Sequence, residues 1–506
     1  MRTLSRPVSV KNDVPARTCS IVATLTTSVW TQRQELRALR GTASGLEIRA
    51  DLTGDLDPDM LRRSTDTALV YCLRSSQYGG AFAGGQDDRE RRLLAAARSY
   101  DLVELEFDRD LTPELLAAIP PQRRRICWYG PGRTDLTALF GRMAATPAQL
   151  YLLAPEAETV EQAMAPLHLL RGLGRSDVTA FATGELGGCS RLLAPWLGAP
   201  VVYGGLGHSG AHGLLTVRRL LRDYPFPELP RLDKLFGIVD RRVGESHSPR
   251  LHNAAYRELG LSALFLPLHA NEFTDSWRAT CAEFERLGLP FDGATVVAPY
   301  KEEALWLADS VSAEAASSGA ANLLVRTGGG WRAYTTDPIG VVGSLRAAGV
   351  RAGGRKVAVV GCGGAGRGAI SGLLRAGADP VVVNRSPARG QYAADLLGVD
   401  FVSLEEFAPE DYSLIVHATP VRGEPPFSVD RARGNAVLVD LAYGPEPTSL
   451  VAAARRRRLR VVDGWQVLAV EVARQFRLMT GRTYPPAIAN RDDGPPPAIN
   501  HREFAR

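Results

Sequence analysis

Three glycines in the second half of the chain stand at the spacing of a dinucleotide-binding turn: Gly361, Gly363 and Gly366. They follow a short apolar run, Lys356 to Val360, and open a stretch with the apolar period of a helix. In such a strand, turn and helix, the glycines allow a tight turn, close approach of backbone N–H groups to a pyrophosphate, and close packing of helix on strand. We therefore expect a nucleotide phosphate at the turn Gly361-Cys362-Gly363-Gly364-Ala365-Gly366.

The end of the next strand indicates which dinucleotide is bound. It reads Asn384-Arg385-Ser386, at the place where NAD-binding chains usually carry a carboxylate for the ribose 2′-hydroxyl. A guanidinium suits a 2′-phosphate instead, and Arg389 can supply a second one. The pattern predicts NADP as the cofactor, with contacts from Asn384, Arg385, Ser386 and Arg389.

Lysine is almost absent from the chain and occurs only at Lys11, Lys234, Lys301 and Lys356, whereas arginine fills the other basic positions. An amine can lose its proton near neutral pH when its surroundings lower its pKa, and a guanidinium cannot. Each remaining lysine is therefore a candidate for acid–base chemistry. No lysine lies between Lys11 and Lys234, so that stretch contains no amine nucleophile.

Two serines precede a proline in Ser246-His-Ser248-Pro249. Proline is favoured in the first turn of a helix, and hydroxyls at a helix N-terminus can donate to a carboxylate placed there. Taken alone, the pattern is also that of an ordinary helix cap. It indicates a carboxylate site only in combination with neighbouring residues.

The elements that position these residues follow an α/β pattern. Between Ile21 and Gly205, helical stretches alternate with eight strand-like runs, which predicts a (β/α)₈ barrel. The runs begin at Ile21, Gly45, Ala68, Leu102, Arg125, Gln149, Val178 and Pro200. Glu47, Arg49 and Asp51 alternate along the second run and are expected in the barrel mouth, with Arg74 at the end of the third.

The domain boundaries follow from composition. A chain of 506 residues predicts about three domains, and the proline-rich stretch from Arg222 to Lys234 is the clearest linker. We expect a barrel over residues 1–230, a substrate domain over 234–345 and a Rossmann domain over 346–483. The last of these includes a returning helix at Gln466–Thr480, and residues 484–506 are expected to be a disordered tail.

Composition excludes several classes of function. The apolar fraction of 45% and the charged fraction of 23% are those of an ordinary soluble protein. No apolar run is long enough for a membrane span, and the first residues lack the apolar core of a signal peptide. A cytoplasmic location is therefore expected. The six cysteines form no Cys-x-x-Cys pair, which argues against zinc and disulfides. The net charge of +5 is dispersed and lacks an aromatic platform, so no nucleic-acid partner is expected.

The barrel resembles the type I 3-dehydroquinate dehydratases. The resemblance rests on Glu47-Ile-Arg49-Ala-Asp51, on Leu73-Arg74 and on Gly184-Glu-Leu-Gly-Gly-Cys-Ser-Arg191. That family uses a Schiff-base lysine and a histidine, and these positions hold Leu152 and Tyr129 here. The family's loop that carries a substrate-binding glutamine reads Ala211-His-Gly-Leu214 here, without the glutamine. The histidines of this region, His168, His208 and His212, do not stand at the position of the family's catalytic histidine. We expect an inactive dehydratase with either a retained anion site at Glu47, Arg49, Arg74 and Arg191, or a scaffold only.

The rest of the chain resembles shikimate dehydrogenases, especially the plant-type fusions of dehydratase and dehydrogenase. The resemblance rests on the Ser246/Ser248 motif, on Phe291-Asp-Gly-Ala-Thr295-Val-Val297-Ala-Pro-Tyr-Lys301, on Gly319-Ala-Ala-Asn322 and on Tyr334-Thr-Thr-Asp337. It implies Lys301 as the acid–base group, Asp337 as its partner, Thr419 beside the nicotinamide, and a substrate site of Ser246, Ser248, Thr295, Asn322, Tyr443 and Glu471. The implied substrate is a small cyclic carboxylate. No metal is implied, and the oligomeric state stays open.

Three residues depart from that family's pattern and keep alternatives open. Thr295 replaces an asparagine or serine, Val297 replaces a threonine, and Glu471 replaces a glutamine. An ionised carboxylate only accepts hydrogen bonds, whereas an amide also donates them. The main expectation is NADP-dependent interconversion of 3-dehydroshikimate and shikimate. The alternatives are a quinate or aminoshikimate-type dehydrogenase of a specialised pathway, and a non-catalytic regulator that binds NADP and a metabolite.

Overall fold

A computed structural model describes residues 17–27, 33–207, 214–444 and 446–489. Lys11, the histidines at 208 and 212 and the loop 211–213 lie outside these ranges, so the expectations for them are not addressed. The 22 strands of the described ranges are, in order, β1 Arg17–Thr18, β2 Ser20–Leu25, β3 Gly45–Arg49, β4 Ala68–Cys72, β5 Leu102–Glu106, β6 Arg124–Pro131, β7 Leu150–Glu156, β8 Val178–Ala180, β9 Val201–Gly205, β10 Glu228–Leu229, β11 Lys234–Asp240, β12 Ala263–His269, β13 Phe291–Val296, β14 Ser310–Val311, β15 Leu323–Thr327, β16 Gly330–Tyr334, β17 Lys356–Val360, β18 Asp379–Asn384, β19 Asp400–Ser403, β20 Leu414–His417, β21 Val437–Asp440 and β22 Arg460–Val462.

The α-helices are α1 Arg33–Ala38, α2 Ala50–Thr53, α3 Pro58–Arg62, α4 Gln86–Ala96, α5 Pro113–Ala118, α6 Leu136–Met143, α7 Val160–Leu173, α8 Gly188–Leu193, α9 Val217–Asp223, α10 Ser248–Glu258, α11 Phe273–Arg286, α12 Lys301–Leu307, α13 Ala313–Ser318, α14 Asp337–Ala347, α15 Gly364–Arg375, α16 Pro387–Leu397, α17 Ser449–Arg456, α18 Gly464–Thr480 and α19 Pro486–Ala489. None of these described helices combines the length and the apolarity that a membrane crossing would require. The chain divides into two compact units, one built mainly from the barrel strands and one made mainly of the chain from Asp233 onward together with the short segments Glu156–Ala165 and Ala182–Ser190.

The first unit contains an eight-stranded parallel sheet in the order β8-β7-β6-β5-β4-β3-β2-β9. The sheet curls into a nearly closed barrel in which β2, the first strand of the eight, pairs with the last, β9. All eight strands fall where the sequence predicts them. Their register aligns Arg49 with Cys72 and Glu104 with Arg125, which brings polar residues of neighbouring strands to the same level of the barrel.

The second unit contains two six-stranded sheets. The first has the order β12-β11-β13-β15-β16-β14 and is mixed, because β15 runs antiparallel to both of its neighbours, β13 and β16, whereas the other pairs are parallel. The second is wholly parallel in the order β19-β18-β17-β20-β21-β22, which is the doubly wound arrangement of a Rossmann sheet. Apolar clusters cover both of its faces, so its strands read as continuous apolar runs. The α/β fold class predicted from the sequence is confirmed.

Helix α18 joins the two sheets of this unit. Its residues Leu468, Val472, Phe476 and Met479 recur every three or four positions and pack into the core of the mixed sheet. Val467, on another side of the helix, packs into the core of the Rossmann sheet. A capping box at Asp463 and Gln466 fixes where the helix begins and contributes about 1 kcal/mol. One rigid helix therefore holds side chains at a set position against both sheets.

Three details differ from the sequence-based expectations. Strand β3 ends at Arg49, so Asp51 does not continue its face but sits in α2, where it accepts two hydrogen bonds from the Arg49 guanidinium. The predicted linker is partly folded, because Tyr224 and Phe226 are buried and β10 pairs with β1.

The predicted start of the disordered tail, at residue 484, is also too early in the chain. Tyr484 and Ile488 are buried against Phe476 and its neighbours, and Pro486–Ala489 is helical. Aromatic and aliphatic side chains within a proline-rich stretch found apolar partners that composition alone does not reveal.

Candidate active site

Lys301 and Asp337 form an ion pair in the second unit. The Lys301 Nζ donates to both carboxylate oxygens of Asp337, at 2.8 and 2.9 Å, and the two side chains are 12% and 3% exposed. Lys301 is the first residue of α12, where a cation is unfavourable next to the positive end of the helix dipole. The Asp337 carboxylate offsets that cost and fixes the amine in one position.

A network of neutral side chains holds Asp337. Asn322 donates to Asp337 Oδ1 at 3.2 Å and to Thr336 Oγ1 at 2.9 Å, and its own oxygen accepts from the Thr336 backbone N–H at 2.8 Å. Gln475, on α18, also donates to Thr336 Oγ1 at 3.1 Å. Sequence reasoning identified Asn322 and missed Thr336 and Gln475, because neither carries a charge and their roles depend on contacts across distant segments.

Glu471 lies beside this pair. It projects from α18 against Gly340, where a Cβ on the glycine would come within 2.6 Å of the Glu471 Cγ. Burial, together with the Asp337 carboxylate, raises the pKa of Glu471 to about 8, and the Lys301 ammonium opposes this shift. Burial and the nearby Glu471 and Asp240 carboxylates raise the pKa of Tyr443 to about 12. The structure thus brings Lys301, Asp337, Asn322, Glu471 and Tyr443 together.

The serine pair opens α10. The Ser248 backbone N–H donates to Ser246 Oγ at 3.2 Å, and Ser248 is the first residue of the helix, followed by Pro249. Thr295, which is expected in the substrate site, lies on β13. Its hydroxyl points at the Gly237 carbonyl at 3.4 Å and is buried in β13.

The glycine turn lies next to Lys301. Gly361 has a φ of 108°, which favours glycine, and a Cβ on Gly366 would meet the Gly361 carbonyl oxygen at 1.9 Å. A Cβ on Gly364 would come within 2.9 Å of Lys301 Cδ. Gly363 is the N-cap of α15 without a side-chain cap, and no described atom lies within 4 Å of its missing Cβ. The helix N-terminus therefore presents free N–H groups in an open cradle, with Ala365 in the same turn.

The corner after β18 contains residues that are expected to contact the cofactor. The Asn384 side chain donates to the Ser386 carbonyl at 3.0 Å, and Ser386 is the N-cap of α16. Arg385 and Arg389 are exposed, and within the described ranges neither guanidinium has a hydrogen-bond partner. Two such cations at the end of β18 suit a phosphate ester.

The Thr419 hydroxyl contacts a buried pair, His417 and Asp440, that was not predicted from the sequence. His417 contacts Asp440 at 2.9 Å through Nδ1 and Thr419 Oγ1 at 2.5 Å through Nε2. Thr448 donates to the other Asp440 oxygen at 2.5 Å. The sequence contains a pattern that predicts this contact. His417 and Asp440 each end an apolar strand, and neighbouring parallel strands end at the same edge of a sheet.

Arg367 was also missed. It lies on α15, is buried, and donates to Glu302 at 2.7 Å and to the Gly319 carbonyl at 3.2 Å. Because Glu302 follows Lys301, this arginine ties the helix of the glycine turn to the segment that carries the lysine. Nothing in the local sequence marks it apart from the other arginines.

The barrel contains a separate polar cluster. Arg125 is buried between Glu47 and Glu104, and Glu104 also accepts from the Cys72 thiol at 2.8 Å. Glu47, Cys72 and Glu104 lie within 4.8 Å of one another, but the Arg125 cation already bridges the two carboxylates. Glu47 and Arg49, both expected in an anion site, are thus paired within the protein, Arg49 with Asp51.

Two further arginines of the barrel, Arg74 and Arg191, are partly buried. Arg74 donates to the Tyr129 hydroxyl at 2.5 Å and stacks over its ring at 3.9 Å. Arg191 lies 4.3 Å over the Phe181 ring, and no described residue accepts a hydrogen bond from its guanidinium or pairs with it. Burial lowers the pKa of Arg191 to about 10. The Arg191 side chain is partly buried, and its Nε is a buried donor without an acceptor among the described residues, which suits an anionic ligand.

The parallel sheet, the glycine turn and the lysine–carboxylate pair define a two-domain unit of the dehydrogenase class. Residues 238–324 match the family model of the shikimate dehydrogenase substrate binding domain, and residues 21–228 match that of type I 3-dehydroquinase. The chain is 34% identical over 256 residues to a shikimate dehydrogenase (NADP(+)) of Acidiphilium cryptum, covering 49% of this chain and 91% of that relative. The chain therefore belongs to the shikimate dehydrogenase family.

Two further similarities bear on the whole chain and on its second half. A bifunctional 3-dehydroquinate dehydratase/shikimate dehydrogenase of Arabidopsis thaliana is 25% identical over 480 residues, covering 87% of this chain and 78% of the relative. A solved shikimate 5-dehydrogenase from Thermus thermophilus, in complex with shikimate, is 31% identical, covers 50% of this chain and 95% of its own, and has a TM-score of 0.45. Both family resemblances read from the sequence are confirmed.

Proposed function

We propose that the second unit is an NADP-dependent oxidoreductase that interconverts 3-dehydroshikimate and shikimate, or a close cyclic carboxylate. The observation that carries the proposal is the contact between Lys301 and Gly364, which sets an amine suited to proton transfer directly against the turn suited to a dinucleotide. The names of the relatives support the substrate and cofactor class.

The residues present fit NADP. The N-terminus of α15 offers backbone N–H groups beside Gly363, whose missing Cβ faces open space among the described residues, and this suits a pyrophosphate. Arg385 and Arg389 suit the 2′-phosphate, and Asn384 and Ser386 shape the corner between them. Bound NADP would supply hydride transfer at the nicotinamide, beside the loop that begins at Thr419.

Lys301 handles the proton of the reacting hydroxyl. In the oxidation of the alcohol, Lys301 in its uncharged form would accept the hydroxyl proton, and NADP would supply the acceptor for the hydride of the same carbon; in the reduction the Lys301 ammonium would return the proton to the oxygen. Asp337 aims the amine and, with Asn322, can hold ring hydroxyls. Ser246 and Ser248 at the start of α10, with Tyr443, suit the ring carboxylate.

The barrel is proposed to lack Schiff-base dehydratase activity. Leu152 is buried where the family has its lysine, Tyr129 stands where it has its histidine, and no lysine lies between Lys11 and Lys234. A second candidate function for the barrel is binding of an anionic ligand without turnover. The Arg191 Nε, which is buried without a hydrogen-bond partner among the described residues, favours this over a purely structural barrel.

The dehydrogenase proposal is tested by initial rates of nicotinamide reduction with shikimate, quinate and an amino analogue, and NADP or NAD. Wild type, Lys301→Ala and, as a matched control, Lys356→Ala are compared. We expect turnover with NADP that falls by about 10³-fold or more in Lys301→Ala only, given the usual size of a general acid–base contribution. Bound NADP without turnover on any substrate would favour the regulator instead.

The barrel is tested separately with 3-dehydroquinate. We expect no dehydration and no borohydride-trapped adduct, and we expect calorimetric binding that is lost in Arg191→Leu but kept in the exposed-site control Arg171→Leu. Dehydration by the wild-type chain would overturn the inactive assignment. Binding that survives in Arg191→Leu would overturn the anion site.

A further inference from the structure

His417 lies in the middle of the Rossmann sheet, at the carboxyl end of β20. It is aligned with Val360 at the end of β17 on one side and with Asp440 at the end of β21 on the other. The strand order reverses between β17 and β20, because β18 and β19 lie to one side and β20 to β22 lie to the other. In sheets of this kind a dinucleotide binds in the crevice outside the carboxyl ends of the strands at that reversal. His417 therefore ends a strand that borders this crevice.

Thr419 borders the same crevice. A Cβ on Gly361 would come within 2.9 Å of the Thr419 Cγ2, so the threonine methyl group packs against the first glycine of the turn. Its Oγ1 lies 2.5 Å from the His417 Nε2, and the residue is partly exposed. Arg385 and Arg389, which are proposed to bind the 2′-phosphate, come after β18, on the other side of β17. The nicotinamide half of the same ligand would then extend toward the end of β20, where Thr419 lies.

The hydrogen bonds of Asp440 set the tautomer of His417. The Asp440 carboxylate accepts from the Thr448 hydroxyl at 2.5 Å and from the Ala442 backbone N–H at 3.1 Å. An ionised carboxylate only accepts, so the His417 Nδ1, at 2.9 Å from Asp440 Oδ1, carries a proton. In the neutral ring the other nitrogen, Nε2, then has a lone pair, and Thr419 donates its hydroxyl proton to it.

We propose that His417 is a positioning residue of the cofactor site. Because it accepts the Thr419 hydroxyl proton, the Thr419 Oγ1 presents only lone pairs on its exposed side, and this oxygen binds a hydrogen-bond donor on the nicotinamide half of NADP. Two groups of that half have this chemistry, the amide NH2 and the ribose hydroxyls. The inference rests on the NADP site proposed above and adds to it a residue that acts through Thr419.

The experiment is calorimetric titration of the full chain at pH 8, at which imidazole is generally neutral. Four ligands divide the cofactor into its parts. They are NADP, its 3-acetylpyridine analogue, in which a methyl group replaces the amide NH2, 2′-phospho-ADP-ribose, which lacks the nicotinamide ring, and 2′,5′-ADP, which lacks the whole nicotinamide half. The variants are Thr419→Val, Thr419→Ser, His417→Leu and the double variant of Thr419→Val with His417→Leu. Thr327→Val, at the exposed end of β15, is the matched control.

We expect Thr419→Val and His417→Leu each to weaken NADP binding about 3- to 10-fold, which is the usual effect of losing one hydrogen bond between neutral groups. Thr419→Ser and Thr327→Val should bind NADP as the wild type does. The double variant should bind NADP no more weakly than Thr419→Val, because His417 acts only through the Thr419 hydroxyl. Every variant should keep its affinity for 2′,5′-ADP.

Three results would overturn the inference. Thr419→Val could bind NADP as tightly as the wild type. The effect of His417→Leu could persist in full in the Thr419→Val background, or extend to 2′,5′-ADP, and either result would mean that His417 only packs in the sheet. Because the Thr419→Val and Thr419→Ser pair leaves His417 in place, it tests the hydroxyl even where His417→Leu disturbs the fold.

The ligands identify the donor. If Thr419 binds the amide NH2, the wild type should prefer NADP to the acetylpyridine analogue about 3- to 10-fold, and Thr419→Val should abolish that preference. If Thr419 binds a ribose hydroxyl, Thr419→Val should weaken the binding of NADP, of the analogue and of 2′-phospho-ADP-ribose alike. Weaker binding of NADP and the analogue alone would mean that Thr419 donates to the carbonyl that both share, and would also overturn the inference.

The outcomes separate this inference from the proposed function. The expected binding differences without turnover of any ring carboxylate would remove the dehydrogenase function and leave the inference standing. Turnover with NADP whose affinity does not depend on Thr419 would do the reverse. Failure of the wild type to bind NADP would remove both.

Discussion

The Cα of Gly364 faces the side chain of Lys301 so closely that a Cβ on the glycine would come within 2.9 Å of the Lys301 Cδ and 3.0 Å of its Cβ. The two residues are far apart in sequence, on the first turns of α15 and α12. Their contact joins the glycine turn to the proposed acid–base group. It means that the glycine at position 364 leaves the room that the lysine side chain occupies.

This contact predicts different effects for two neighbouring glycines. In Gly364→Ala the methyl group should displace Lys301, and kcat should fall about 10- to 100-fold because small misplacements of a reacting group are costly. In Gly363→Ala, where no described atom lies within 4 Å, the methyl group should meet only the cofactor and raise the KM for NADP. Steady-state kinetics with NADP varied would test this. The same change in both variants would argue against a role of Gly364 in placing Lys301.

The exposed arginines after β18 should decide the choice of cofactor. Arg385→Ala and Arg389→Ala should each raise the KM for NADP about tenfold, because each removes a charge-assisted contact to the 2′-phosphate. The KM for NAD should change little. Arg375→Ala, at the opposite end of α15, is the matched control. An equal loss with NAD and NADP would show that these arginines do not read the 2′-phosphate.

Glu471 should lower the stability of the fold on the alkaline side. Its carboxyl has a pKa of about 8 in the folded chain and near 4.5 when unfolded, so the folded state binds the proton more tightly. The free energy of unfolding should therefore fall as pH rises from about 4.5 to 8, by a few kcal/mol. Glu471→Gln should lack this fall and be more stable than the wild type at about pH 8 to 9. Urea unfolding across this range measures the difference, and parallel curves would contradict it.

His252 should act in the opposite direction on the acid side. Its ring stacks on Phe265 with centroids 4.3 Å apart, and burial lowers its pKa from 6.5 to about 3, against a smaller effect of Gln475. The unfolded state then binds more protons between pH 3 and 6.5, so stability should be full above about pH 6.5 and be lost as pH falls toward 3.

A His252→Phe variant isolates that effect. It keeps the ring stacking but has no group to titrate, so its advantage over the wild type should grow by a few kcal/mol as pH falls from about 7 to 4. Other titrating groups act equally in both proteins and cancel in the comparison. An advantage that does not change with pH would mean that His252 is not held neutral by burial.

The sequence by itself determined the elements and singled out the proposed catalytic pair, Lys301 and Asp337. The eight barrel strands, the Rossmann sheet and the glycine turn follow from apolar periods and turn residues, which depend on local chain geometry. The scarcity of lysine drew attention to Lys301, and the motif around Asp337 supplied its partner. The strand end at Asn384-Arg385 indicated the cofactor, because the residue types at that corner are set by the group they bind.

Only the tertiary structure decided how the site is surrounded. It turned Thr295 to a backbone carbonyl, paired Arg49 with Asp51, and brought Gln475, Arg367 and His417 into supporting positions. It also placed Glu471 against Gly340 and left Arg191 without an anion among the described residues. These outcomes depend on which helices approach closely and which charges meet after folding. Such contacts join residues far apart in the chain, and no local pattern records them.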